Sequence, residues 1–185
     1  KTTILFHLVK QHTHKFNIVY VHADTNPADA KSYYEDAMEH DVTYLTPDMK
    51  VGKSMSNVVS HLEALANSDA DLNDQLWVFD TLKKMTDMID KSRLKGLLQT
   101  LRKLSSRGMT VILLAHTNKH KDAEGNHVFE GTGDLRADVD ELIYLEPMKQ
   151  GDMLLVSTRP DKVRAAVSEM SFEIANDRTV TVCEG

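Results

Sequence analysis

The chain has 185 residues, 41% hydrophobic and 27% charged, with a formal net charge of −6. This balance excludes a disordered polypeptide, and no apolar run approaches the roughly 20 residues that a membrane-spanning helix needs. The acidic excess excludes a surface that coats duplex DNA broadly, because such binding rests on many Lys and Arg contacts to phosphate.

The first predicted element is a helix from Lys1 to about His14, with Ile4, Leu5, Leu8 and Val9 at helical spacing. Phe16 to Val21 is β-branched and aromatic, which fits a buried strand ending at His22-Ala23-Asp24. Asn26 as cap and Pro27 in the first turn predict a helix from Ala28 to about His40, and Val42 to Leu45 a further short strand. Met55, Val58, Val59, Leu62 and Leu65 place a helix over Ser56 to Asn67. Leu76 to Phe79 is an unalternating apolar run stopping at Asp80, the pattern of a strand covered on both faces. Ser92 to Arg107 carries five leucines on one helical face and ends at Gly108. Met109 to Ala115 is a second all-apolar strand.

From Lys119 to Asp138 the chain is polar and without period, which predicts a long loop with a short helical turn near its end. Leu142 to Leu145, Met153 to Ser157, Val167 to Ile174 and Thr179 to Cys183 complete it as strands, the last three close enough to pair antiparallel. The expected architecture is a single α/β domain over 1–185: a largely parallel central sheet flanked by helices, with a C-terminal antiparallel β meander. The only cysteine, Cys183, cannot form an internal disulfide, which points to a reducing compartment and hence the cytoplasm. His12, His14, His116, His120 and His127 have no tight metal-ligand spacing.

Lys1-Thr2 at the head of an amphipathic helix matches the last two positions of G-x-x-x-x-G-K-[ST], the loop whose backbone cradles phosphates. On that match the chain is expected to begin inside its phosphate-binding loop, with Lys1, Thr2 and Thr3 in the nucleotide-binding group. Gly52-Lys53-Ser54 offers the same tail, but Pro47 stands where the pattern needs glycine. The order of the later strand ends is more specific. An apolar strand ending in Asp80 has the form of a Walker B segment, whose carboxylate reaches Mg²⁺. Asp24 ends another strand and is placed to orient an attacking water. His116-Thr117-Asn118 comes after a third strand, where a polar group could sense the γ phosphate. For each aspartate alone, a solvated strand end or helix cap is the competing account. A phosphoacceptor-type signalling domain with Asp80 or Asp24 as acceptor also matches the strand ends, without accounting for Lys1-Thr2.

Asp80-Thr81-Leu82, Leu113 to Lys119 and Gly131 to Asp138 give the chain a resemblance to RecA-type P-loop ATPases. It is most similar to the hexameric replicative helicase branch that includes RepA-type enzymes, with DnaB-type and KaiC-type proteins more distant. The resemblance covers about Lys1 to Ile174. It implies an Mg-dependent ATPase of the helicase type, acting on single-stranded DNA in a ring-forming hexamer, with ATP and Mg²⁺ as cofactors and no membrane partner. Lys1 becomes the phosphate lysine, Thr2 the Mg²⁺ hydroxyl and Asp80 the Walker B carboxylate and second Mg²⁺ ligand. Asp24 falls where the family has a glutamate, one methylene longer, and His116 where it has a γ-phosphate sensor. Lys162-Val163-Arg164 resembles the Lys-x-Arg pair offered to a neighbouring subunit's nucleotide, with Arg164 as finger and Arg159 as a substitute. Lys119, His120, Lys121, His127 and Phe129 match the nucleic-acid loop, supplying cations and one aromatic. The competing function is a nucleotide-binding regulatory or scaffold ATPase with little or no hydrolysis, favoured by Asp24 and the acidic charge.

Overall fold

The computed structural model describes residues 1–47, 54–88, 90–121, 127–129 and 134–183, and of residues 119–121, 127, 129 and 134 the backbone alone. It divides into two compact units, Lys10–Asp134 and a second formed by Lys1–Val9 with Leu135–Gly185.

The first unit is built on a parallel sheet of β1 (Asn17–His22), β2 (Val42–Leu45), β3 (Gln75–Asp80) and β4 (Thr110–Leu114), in the order β2-β1-β3-β4. The strands are short apolar runs because both faces are covered: Tyr20, Val21, Val78 and Phe79 are fully buried. Three helices accompany them, α2 (Pro27–Glu39), α3 (Met55–Ala66) and α4 (Lys91–Ser106); α1 (Thr2–Lys10) is contributed mainly by the second unit. Each of α2, α3 and α4 has a side-chain N-cap: Asn26 accepts from Asp29 N, Ser54 from Asn57 N, and Asp90 from Ser92 N and Arg93 N. Leu94, Leu97, Leu98, Leu101 and Leu104 form the buried stripe of α4, and each such leucine contributes about 1.5–3 kcal/mol. Gly52 and Lys53 of the Gly-Lys-Ser triplet lie outside the described residues, while Ser54 is occupied as a helix cap.

Gly108 ends α4 with φ +97, and a Cβ there would meet Asn73 Cα at 2.9 Å as well as its amide group. Gly108→Ala therefore combines a left-handed backbone with a clash against main chain, and is expected to lower unfolding stability by about 2 kcal/mol or more, read from urea denaturation. An unchanged midpoint would show that Asn73 and the turn re-form at no cost.

The long polar stretch after β4 departs from the expected loop. Its backbone forms an antiparallel ribbon of β5 (Thr117–Lys121) and β6 (His127–Phe129), followed by α5 (Asp134–Asp138). β5 is polar at every position and β6 spans only three residues, so no hydrophobic period announces them.

The second unit holds an antiparallel sheet in the order β10-β9-β8-β7, from β7 (Leu142–Gln150), β8 (Met153–Lys162), β9 (Ser171–Ile174) and β10 (Val180–Cys183). β7 and β8 run well past their predicted ends. Gln150 pairs with Met153 across the two-residue turn Gly151-Asp152, where Gly151 takes φ +59. Pro160 is accommodated opposite Ile143 next to a register irregularity, where a missing N–H is tolerated. Ile4 of α1 packs with Val156, Phe172 and Val180, and Leu8, Leu145 and Ile174 close the cluster. Among the described residues no helix is long and apolar enough to cross a membrane.

Candidate functional site

Strand order decides which chemistry meets. β1, β3 and β4 are neighbours in the parallel sheet, so Asp80 at the end of β3, Asp24 two residues beyond β1 and His116 two residues beyond β4 emerge at the same edge. That edge, at the carboxyl ends of parallel strands, is where open α/β sheets gather ligands. Two hydrogen bonds beyond the ladder tighten it: Ala23 N donates to Asp80 O at 2.6 Å, and Thr81 Oγ1 to Leu114 O at 2.8 Å. The Asp80-Thr81 peptide is cis.

Asp24 lies between a lysine and a histidine. Its Oδ1 is 3.6 Å from Lys84 Nζ, on the 3₁₀ turn after β3, and its Oδ2 is 3.7 Å from His116 Nε2. All three side chains are well exposed, so these pairs contribute at most about 1 kcal/mol to folding. Their effect is on the carboxylate's availability: a base beside the Lys84 ammonium must leave it before it can take a proton.

Asp80 is the opposite case, only 4% exposed. Tyr20 Oη donates to its Oδ2 at 3.1 Å. His22, which pairs with Asp80 in the strand register, places Nε2 3.8 Å from the same oxygen, and its Nδ1 lies 2.7 Å from Tyr44 Oη. Burial pushes the His22 pKa below its ordinary value, against the pull of the Asp80, Asp24 and Asp29 carboxylates. The neutral imidazole is the form consistent with that burial, and 3.8 Å is too long for a hydrogen bond, so the Asp80 contact is not a formed ion pair. Burial, and then the neighbouring Asp80 charge, hold the Tyr20 phenol far above its ordinary value; Tyr44 is raised for the same first reason. The rings pack on one another: Tyr20 and Tyr44 stack at 6.2 Å, and Tyr33 of α2 meets His22 edge-on at 5.4 Å.

Asp80, Asp24 and His116 at this edge are among the residues expected from the sequence; Tyr20, His22, Tyr44 and Lys84, which the structure places beside them, are not. The available signal is the spacing of Tyr20 and His22 two apart in β1, which puts both on the face that Asp80 shares. An unalternating apolar run hides such a face.

Lys1, Thr2 and Thr3 lie at the start of α1, where Leu5 N donates to Lys1 O at 3.0 Å, and belong to the unit with the antiparallel sheet. So do the three cations at the end of β8, and their surroundings differ sharply. Lys162 Nζ donates to Arg136 O, Ala137 O and Val139 O at 2.9, 2.9 and 2.7 Å, three carbonyls at the C-terminal end of α5. Neighbouring Asp161 accepts from Arg136 Nε at 2.7 Å. Arg164 makes an exposed ion pair, Nη2 to Asp140 Oδ1 at 2.6 Å. Arg159 is fixed by Glu146 at 2.5 Å and lies 4.3 Å over the Tyr144 ring, with its Nη2 buried and unpartnered. The Lys-x-Arg pair is thus one committed lysine and one arginine on a breakable contact. Lys119, His120, Lys121, His127 and Phe129 are placed by backbone alone, in β5 and β6; Gly131 to Gly133 lie outside the described residues.

The one described group of three metal-capable side chains, Asp36 and Glu39 of α2 with its C-cap His40, has Asp36 half-buried and the other two exposed, and Lys10 Nζ already sits 2.6 Å from Asp36.

No protein-family model matches the sequence, and no curated protein does. Solved structures do match over the whole chain. The flagellar accessory protein FlaH from Methanocaldococcus jannaschii is 10% identical with a TM-score of 0.58, and 84% of its chain is covered. The RadB recombinase is 15% identical with a TM-score of 0.59, and 86% of its chain is covered. At such identities the likeness concerns architecture. With a helix-flanked parallel sheet, a C-terminal antiparallel sheet and these neighbours, the chain has the RecA-like α/β fold.

Proposed function

We propose that this chain is an ATP-binding and hydrolysing domain that acts on single-stranded DNA within a ring-forming oligomer, a hexamer by its resemblance to replicative helicases. The observation that carries the nucleotide site is the delivery of Asp24, Asp80 and His116 to one edge by three adjacent parallel strands.

Asp80 suits Mg²⁺: it is a hard oxygen donor at the C-terminal end of a strand, with its orientation fixed. Bound Mg²⁺ would offset charge on the β and γ phosphates. The resemblance gives Thr2 the other protein oxygen and Lys1 the phosphate charge. Asp24 would orient the attacking water and accept its proton, and His116 would hydrogen-bond the γ phosphate. Arg164, supplied to the neighbouring subunit, would meet charge developing on the transferred group. Lys119, His120 and Lys121 with Phe129 would follow a single strand by charge and stacking. The cytoplasm is the proposed compartment.

A second function is supported by one specific feature. Asp24 is short and lies between Lys84 and His116, which favours a switch that binds nucleotide and hydrolyses it slowly. Steady-state ATP hydrolysis by the full-length protein, with and without single-stranded DNA, separates the two. DNA-stimulated turnover is the result expected of the motor, and tight binding without turnover is that of the switch. If Asp24 limits the rate by its length, Asp24→Glu raises turnover several-fold. No Mg²⁺-dependent nucleotide binding at all would sink both.

A further inference from the structure

We propose that Tyr20, backed by the His22–Tyr44 pair, is a positioning residue that sets the orientation of the Asp80 carboxylate for a divalent cation. This rests on the nucleotide-site assignment above and deepens it.

Tyr20 is fully buried in the middle of β1, where phenylalanine would fill nearly the same volume. The hydroxyl is what distinguishes it, and it donates to Asp80 Oδ2 at 3.1 Å. The terminal torsion of an aspartate is broad and roughly two-fold, so an unheld carboxylate samples many orientations. A donor fixed to one oxygen determines where the other points. In a buried layer that donor is costly to lose, since buried polar groups need partners.

His22 limits the carboxylate by packing beside it rather than by a hydrogen bond. Its Nδ1 lies 2.7 Å from the Tyr44 hydroxyl oxygen, and its Nε2 faces the same Oδ2 from 3.8 Å, beyond hydrogen-bond reach. Parallel register fixes these relations in the backbone: His22 is opposite Asp80, and Tyr44 opposite Tyr20. One face of three neighbouring strands, β2, β1 and β3, therefore carries Tyr44, His22 and Tyr20 around Asp80, the proposed metal ligand. Groups that orient metal ligands in this way commonly change metal affinity by about 10–100-fold when removed.

The test is a Mg²⁺ titration of fluorescent ATP-analogue binding by the full-length protein, beside unfolding midpoints and analogue affinity in EDTA. Tyr20→Phe is expected to raise the Mg²⁺ concentration for half-maximal binding about tenfold, leaving the metal-free affinity unchanged. Tyr44→Phe, at the far end, should shift it the same way by less, and it carries the test if Tyr20→Phe does not fold. Wild-type Mg²⁺ dependence in the folded variants, with only a lowered unfolding midpoint, overturns the proposal and leaves a structural tyrosine. Asp80→Asn separates the two failures. If it flattens the Mg²⁺ dependence while Tyr20→Phe and Tyr44→Phe do not shift it, positioning alone is wrong. If the wild type shows no Mg²⁺-dependent binding, the nucleotide site falls as well.

Discussion

Asp80→Asn is expected to lower ATP turnover by about 10³-fold or more while the protein stays folded. A carboxylate on a catalytic cation stabilises transition-state charge by several kcal/mol, and each 1.36 kcal/mol is about a factor of ten in rate. Asparagine keeps the shape of Asp80 and an oxygen that can accept from Tyr20, so the buried layer of Tyr20, Val21, Val78 and Phe79 is not opened. Circular dichroism and the urea midpoint should therefore stay close to wild type. Turnover within about tenfold of wild type in a folded variant would remove Asp80 from the chemistry.

Arg164→Ala is expected to reduce turnover by about 10³-fold or more, the scale of a finger acting on transition-state charge, with nucleotide affinity nearly unchanged. Its ion pair with Asp140 is exposed on both sides, so the variant should lose no more than about 1 kcal/mol of stability. Mixing gives a sharper check. An Arg164→Ala subunit retains its own Asp80, and an Asp80→Asn neighbour retains its Arg164, so co-assembly of the two inactive variants should recover part of the activity. No recovery in assembled mixtures, or full turnover by Arg164→Ala alone, would end the assignment in trans. Lys162 does not serve the same test, because its ammonium ties β8 to α5 through three carbonyls and its loss would disturb the unit itself. Arg159 is similarly anchored, by Glu146 and the Tyr144 ring.

Elements with a strong hydrophobic period and chemically marked ends are readable from the order of residues. The leucine stripe of α4, its terminator Gly108 and the Asn26-Pro27 start of α2 were legible because caps, left-handed turns and buried faces restrict residue choice locally. The strand-ending Asp80 was legible for the same reason, since an apolar run cannot hide where it stops. The β5–β6 ribbon was not, because a wholly polar β5 and a three-residue β6 leave no period to read. Nor were Tyr20, His22 and Tyr44. Within unalternating strands the face of each side chain is settled when neighbours align, and it is the parallel register of β1 with β2 and β3 that turns two tyrosines and a histidine from core filling into the surroundings of one carboxylate. Likewise, nothing in the spacing of Lys162 and Arg164 distinguishes them. Folding assigned one to three carbonyls and the other to an exposed ion pair, because hydrogen-bond partners come from chain segments more than twenty residues away.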